Sequence, residues 1–359
     1  MALISLITHT TLLLRPPTRQ GGGIDLALLC QYGVMACEKI GEPVKSVVAE
    51  PCEYHHALLV NDHIWLFGRT FVNQPSHNWG HRVALAGTYA VAFDTVNKKW
   101  GEPLKFRALS EEENVSEALF VLNNTIFMLL FSAFGELSMK SVHKWNGSAW
   151  ESSHLESFAT IPGGDPSVRV TVVVADGPHN DSKYLISTVG HQIRVAHLKL
   201  TANGISITHV LDVPDSAATT LAQAVCGVES GDRLLIGYGV HGCGFRWEKS
   251  HVIACDPVKK TCENCEVTSE NAPKWGFNGA FGRYLTTSGA WIHAAGSVPH
   301  GMTGSVFDGS IWAMKDLTST PKWHQLQGTV PAEGNVVIGQ GRVFSVDDNG
   351  VHSISLAEN

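Results

Sequence analysis

Ala57-Leu58-Leu59-Val60, Asn61-Asp62-His63 and Ile64-Trp65-Leu66-Phe67-Gly68 read as two short apolar runs around a polar turn. β-Branched and aromatic residues alternating between Asn, Asp and Gly are what a pair of half-buried strands requires. Downstream, Thr88–Phe93 reads as a third strand, Asp94–Lys99 as a polar turn, and Trp100 opens a fourth strand. The paired runs recur as Ala118–Val121 with Ile126–Phe131, Val170–Val174 with Tyr184–Thr188, and Leu221–Val225 with Arg233–Gly237. Phe281–Leu285 with Ala290–Ala294 and Val336–Ile338 with Val343–Val346 complete six copies, whose starts fall roughly 51 to 61 residues apart.

That period is in the range of four-stranded propeller blades, none of which can bury its apolar faces alone. The expectation is an all-β, six-bladed β-propeller with four-stranded antiparallel blades. The last copy supplies three strands, Val336–Ile338, Val343–Val346 and Val351–Leu356, and then the chain stops. An N-terminal strand is therefore expected to close the ring, with Pro43–Val48 as the candidate. Residues 43–359 read as a single propeller, and residues 1–42, with Arg15-Pro16-Pro17 and Gly21-Gly22-Gly23, as a loosely packed extension.

With 44% hydrophobic residues among 359, the chain has ample material for a core, and 35 glycines suit many tight turns. A net charge of −7, with no basic run longer than Lys98-Lys99 or Lys259-Lys260, disfavours a phosphate-neutralising nucleic-acid surface. The longest apolar stretch, Ala118–Phe134, is interrupted by the turn residues Asn123-Asn124-Thr125 and is too short to span a bilayer. Residues 1–14 have the length of a signal-peptide core but lack a basic leading region. Cys255 and Cys262 flank a strand 3–strand 4 turn, and a cross-strand disulfide fits if their Cα atoms approach within about 6 Å. A zinc site of Cys243, Cys255, Cys262 and Cys265 is the alternative, although that spacing offers one C-x2-C rather than two. Four N-x-S/T sequons begin at Asn114, Asn123, Asn146 and Asn180 and tilt the compartment towards the secreted or cell-surface side.

The closing element recurs as Lys144-Trp145-Asn146-Gly147-Ser148-Ala149-Trp150 and as Ile311–Asp316 followed by Trp323. Tryptophan at this position is expected to pack between blades. With Leu58–Phe67, Gly68, Tyr89–Asp94 and Trp100, the order of apolar strand, glycine, aromatic strand, acidic turn and Trp resembles kelch-type propellers, over roughly residues 54 to 359. The adjacent Gly-Gly of that family is replaced by Gly68-Arg69, Gly237-Tyr238 and Gly296-Ser297. Asn146-Gly147-Ser148-Ala149-Trp150 and Tyr54–Arg69 also resemble parts of sialidase and trans-sialidase propellers. That likeness implies an arginine clamp on a sugar carboxylate, for which Arg69, Arg169, Arg246 and Arg283 are the arginines to test, and a tyrosine nucleophile at Tyr238 or Tyr284. The arginine expected early in the opening segment is replaced by His55 or His56.

Loop lengths point to where a site would be. Strand 2–3 loops over Gly68–Gly87, Gly239–Ser250 and Gly296–Ser310, and strand 4–1 connections over Gly101–Ser116 and Glu151–Ser167, are long and emerge on one face. They carry Arg69, His77, Trp79, His81, Arg82, His241, Arg246, Trp247 and His300, and strand 4–1 connections also bring in Arg169 and Trp275. Arginine forks bind carboxylates and tryptophan offers a face for a sugar ring, so these residues suit an acidic glycan or an acidic protein segment. Tyr54-His55-His56 and His63 do not read as a metal cluster, because adjacent strand residues point to opposite faces. No cofactor and no metal are expected. The leading expectation is a noncatalytic, monomeric ring binding a protein or glycan. A sialidase-like glycosidase and an intracellular kelch-type adaptor are the competitors.

Overall fold

The computed structural model describes residues 37–48, 53–72, 84–106, 115–156, 170–175, 179–189, 192–214, 222–230, 232–241, 247–265, 282–287, 290–295, 309–315, 322–331 and 335–356. The first strand, β1 (Glu38–Gly41), belongs to the last blade. Blade 1 contains β2 (Glu53–Val60), β3 (His63–Val72), β4 (Ala84–Asp94), β5 (Lys99–Trp100) and β6 (Leu104–Phe106). Blade 2 contains β7 (Val115–Leu122), β8 (Thr125–Ser132), β9 (Met139–Trp145) and β10 (Trp150–Glu156). Blade 3 contains β11 (Val170–Val174), β12 (Ser182–Val189), β13 (Gln192–Leu200) and β14 (Gly204–Asp212). Blade 4 contains β15 (Ala222–Ser230), β16 (Arg233–His241), β17 (Trp247–Asp256) and β18 (Thr261–Cys265). Blade 5 contains β19 (Gly282–Thr287), β20 (Ala290–Ala295), β21 (Ser310–Lys315) and β22 (Lys322–Thr329). Blade 6 contains β23 (Asn335–Gly339), β24 (Arg342–Asp347), β25 (Gly350–Ser355) and β1.

Within each blade the neighbouring strands pair antiparallel. The inner strands touch in the order β2, β7, β11, β15, β19 and β23, and β23 returns to β2. The described strands thus form a closed ring of six four-stranded units. The apolar faces of neighbouring blades meet in the gaps between them. Ile64, Leu66 and Phe93 of blade 1 pack against Val337, Phe344 and Val351 of blade 6. Phe120, Leu129 and Val142 of blade 2 meet Leu185 and Leu198 of blade 3. Ile186 and Val195 meet Ile236 and Ile253 between blades 3 and 4, and Leu235 and Val252 meet Trp291 and Trp323 between blades 4 and 5. Ile292 and Ile311 against Val336 and Ile354 join blades 5 and 6. Trp145, which is buried, joins Phe67, Ala90 and Leu58 between blades 1 and 2, in the interblade role expected of it.

Three details correct the sequence reading. The sealing strand is β1, not Pro43–Val48, which contains a 3-10 turn over Val44–Ser46. Pro43 has no N–H to give to a ladder, and the buried Val44 packs instead into the core between blades 6 and 1. The propeller therefore begins inside the segment 1–42 that read as an extension, while residues 1–36 lie outside the described residues. The fourth strand of blade 1 is split into β5 and β6 by Gly101-Glu102-Pro103, and both halves pair with β4. Thirdly, blades 2 and 3 are joined edge to edge by a short parallel contact of β10 with β14, pairing His154 with Gly204 and Glu156 with Ser206.

The repeat in the turns has a shared chemical cause. Asp94 Oδ1 accepts the N–H groups of Val96 and Asn97 at 2.9 and 2.8 Å, and Asp256 Oδ1 accepts those of Val258 and Lys259 at 3.0 and 2.8 Å. In the corresponding turn Asn146 Oδ1 accepts from Ser148 and Ala149. These are Asx turns, in which a short side chain supplies the acceptor that the chain reversal leaves missing. Lys98 and Lys260 stand at the same position in two of them with φ of 55° and 57°.

Gly204 tests the join between blades 2 and 3. Its φ is +153°, and a Cβ there would press on the backbone oxygen of His154. Gly204→Ala is expected to lower the unfolding free energy by about 1–3 kcal/mol, the range for overpacking a tight contact. Chemical denaturation of the two proteins measures this, and an unchanged midpoint would mean that the β10–β14 contact is not maintained.

Candidate functional site

Antiparallel order sends the strand 1–2 and 3–4 turns to one end of the ring and the 2–3 and 4–1 connections to the other. At the short-turn end lie 61–62, 123–124 and 340–341, with the 3–4 turns 95–98, 146–149, 201–203 and 257–260. At the opposite end the strand bounds leave 73–83, 107–114, 157–169, 266–281 and 296–309. The expected asymmetry is therefore present in the strand bounds, but four of the expected connections are shorter than the sequence suggested. β3 and β4 leave only 73–83 of Gly68–Gly87, and β10 occupies Glu151–Glu156 of Glu151–Ser167. The blade 4 loop expected over Gly239–Ser250 is mostly strand, since β16 runs on to His241 and β17 begins at Trp247. Only 242–246 joins them. In blade 1, β6 likewise occupies part of the connection expected over Gly101–Ser116.

The structure places three of the sequence-derived binding residues on strands. Arg69 pairs with Glu53 and Thr88 in blade 1, and His241 pairs with Trp247 in blade 4. Blades 1 and 4 are three apart in a ring of six, so Arg69 stands across the ring from His241 and Trp247. The side chains of these three lie outside the described residues. His77, Trp79, His81, Arg82, Arg169, Arg246, Trp275 and His300 lie wholly outside them.

Phe134 is a surface aromatic at this end that the sequence reading did not single out. It sits in the strand 2–3 connection of blade 2 and is 45% exposed. Its neighbours are fixed: Leu137 is fully buried, Ser138 N–H donates to Ser132 Oγ at 2.8 Å, and Val170 N–H of blade 3 donates to Ala133 O at 2.8 Å. The only sequence signal was Phe134 itself, at the end of an apolar run where a buried residue would read the same. On the inner strands, His56 Nε2 of blade 1 lies 3.3 Å from Glu117 Oε1 of blade 2. His63 instead stands 3.9 Å from Asp94. Among the described residues, no group of three or more His, Cys, Asp or Glu side chains is arranged to hold a metal ion.

Cys255 and Cys262 face each other across β17 and β18, with Cα atoms 4.1 Å apart, and are joined as a disulfide. That separation matches a non-hydrogen-bonded antiparallel pair, the geometry the disulfide expectation required. Cys265 is free and buried, and burial pushes its thiol above the ordinary range.

At the short-turn end, a cleft of about 620 Å³ opens beside blade 1. His63, Trp65, Asp94, Glu102 and Leu104 line it, together with Gly147 from the blade 2 turn. It gathers none of the residues proposed from sequence. Further round, His179 Nε2 lies 3.3 Å from Glu229 Oε1, linking the strand 1–2 turn of blade 3 to the inner strand of blade 4. Burial raises the Glu229 carboxyl pKa, against the lowering influence of His179 and Lys183. Burial also lowers the imidazole pKa of His143, whose Nε2 is 2.9 Å from Ser141 Oγ, and that of His197, with Lys199 adding to the second shift.

The two histidines set a sign. A depressed histidine contributes stability that is present above its unfolded value, about 6.5, and is lost as pH falls through the folded value. Unfolding free energy is therefore expected to fall on acidification below about pH 6.5, and His143→Gln with His197→Gln flattens that fall. Parallel profiles for the native and double-variant proteins, followed by denaturant unfolding at each pH, would contradict the assignment.

The closed ring of strands defines the class: the chain is a β-propeller. Neither a family model nor a curated protein sequence matches it. Among solved structures it is similar to the phage phi92 endosialidase, with a TM-score of 0.47, 7% identity, and coverage of 90% of this chain and 70% of that one. It is similar also to an exo-β-1,3-galactanase from Clostridium thermocellum, with a TM-score of 0.48, 9% identity, and coverage of 88% and 82%. The Dos1 propeller gives a TM-score of 0.44 and 8% identity, with coverage of 86% and 80%.

Proposed function

We propose that this ring is a noncatalytic binding protein whose long-connection end captures an acidic glycan or an acidic protein segment. The observation that carries the reading is the division of the ring into two unlike ends. At one end, the strand 3–4 turns of blades 1, 2 and 4 are closed by Asx bonds. The other receives the longest spans between the described strands, those with Arg82, Arg169, Trp275 and His300, and also the shorter span with Arg246. Binding residues tend to ride on such connections over a rigid frame. Phe134 supports the reading as an exposed aromatic held on a fixed connection at the same end, since aromatic and arginine anchors dominate binding surfaces.

The Cys255–Cys262 disulfide favours a secreted or cell-surface ring over an intracellular kelch-type adaptor, because such bonds persist in oxidising compartments. Arg246 and Trp247 together are expected to form the anchor of blade 4. Arg246→Ala with Trp247→Ala should lower capture of an anionic probe, such as sialyllactose, a heparin oligosaccharide or a poly-glutamate peptide, by at least about tenfold. Surface plasmon resonance of both proteins, with their melting curves superimposed, measures this. Unchanged binding by a folded double variant would remove this face from the reading.

A further inference from the structure

We propose that the short-turn end of blades 2 and 3 carries N-linked oligosaccharides, at Asn146 and at the neighbouring Asn123–Asn180 pair. The sequons are Asn123-Asn124-Thr125, Asn146-Gly147-Ser148 and Asn180-Asp181-Ser182. Sequence alone gives such tripeptides little weight, since they arise often by chance. The fold adds an independent observation. These asparagines are all exposed, all stand in turns, and all emerge at the same end of two adjacent blades. Asn123 and Asn146 occupy the two turns of blade 2 at this end. Asn180 belongs to the strand 1–2 connection of blade 3, and its carbonyl accepts the Asn123 N–H at 2.5 Å. The fourth sequon asparagine, Asn114, lies outside the described residues.

The chemistry at Asn146 is compatible with the modification. In the transfer, Nδ2 forms a bond to C1 of a lipid-linked oligosaccharide, the bond from C1 to the lipid pyrophosphate breaks, and Nδ2 gives up one proton to a base of the transferase. One N–H remains. It can still donate to Glu151 Oε1, which Nδ2 now meets at 2.6 Å. Oδ1 is untouched and continues to accept from Ser148 N and Ala149 N at 2.9 and 2.8 Å. The turn therefore keeps its bonds after modification. Ser148 Oγ, which supplies the hydroxyl of the sequon, lies 3.0 Å from the same Oδ1.

The disulfide between Cys255 and Cys262 is a second observation, because the compartments that form such bonds are also those in which asparagine is glycosylated. Sugars at this end would leave the long-connection end uncovered. The inference shares the compartment with the proposed function but does not depend on which residues bind the partner.

The test is digestion, with a peptide N-glycosidase in ¹⁸O-water, of the full chain purified from the cells that naturally make it. Each occupied asparagine becomes ¹⁸O-labelled aspartate. The expected result is a mass loss of at least two oligosaccharides, with label at Asn146 and at Asn123 or Asn180. Unmodified asparagine at 146, or at both 123 and 180, would overturn the proposal. Ser148→Ala, expressed in the same cells, removes the sequon and spares the backbone bonds of Asn146, so it should lose one oligosaccharide mass. A variant that keeps that mass would overturn the assignment to Asn146. Loss of probe binding in the Arg246/Trp247 variant is read separately, so either proposal can fail while the other stands.

Discussion

Face-to-face packing between neighbouring blades is the interaction on which the rest of this structure depends. Each four-stranded unit has apolar residues on both sides of its sheet, so each needs two neighbours. In a row, two outer faces would stay wet. Burying one Ile or Phe side chain contributes about 1.5–3 kcal/mol, whereas a whole domain is stable by roughly 5–15 kcal/mol. Leaving even one interblade layer open would therefore consume a large share of the stability. Blade 6 and blade 1 meet through Phe344, Val351, Ile64 and Phe93, with Ile40 of the N-terminal strand in the same cluster. The ring is thereby closed by residues from both ends of the described chain.

Closure explains why the two ends of the ring are so different. At the short-turn end the strand 3–4 turns of blades 1, 2 and 4 repeat one solution, an aspartate or asparagine accepting the N–H groups two and three residues on. At the other end the same device closes one turn, where Asp347 Oδ1 accepts from Asn349 and Gly350. Once the frame is fixed, connections there can lengthen at small entropic cost, because loop-closure entropy grows only slowly with length. Function is free to accumulate where the scaffold does not object. The disulfide and the three described sequons lie at the short-turn end, and the segments proposed to bind lie at the other.

Much of the scaffold was legible in the sequence because periodic apolar runs and turn residues encode it directly. The run Val170–Val174 coincides with β11, and Cys255 and Cys262 fall opposite each other across the turn between them. The closing strand was misplaced by a few residues. Glu38-Lys39-Ile40-Gly41 has only one buried apolar residue, whereas Pro43–Val48 looks more strand-like but begins with a residue that cannot donate. The β10–β14 join depends on a backbone approach at Gly204 that no pattern of side chains announces. The proposed site was read from the sequence only as an end of the ring. Which side chains converge there is decided by connections without a period, and the exposed Phe134 reads in sequence like its buried neighbours Leu130 and Phe131.

Native-state hydrogen exchange on β1 and β25 tests the central claim, that an N-terminal strand seals the ring, most directly. β1 pairs with β25 through Glu38 with Ser353 and Lys39 with His352, and the amides that donate between these two strands report on the seal. If closure is required for stability, they should exchange only through opening that costs nearly the global unfolding free energy, as amides of the inner strands do. Fast exchange of β1 and β25, with the inner strands still protected, would show that the ring stands without its seal and would contradict the account.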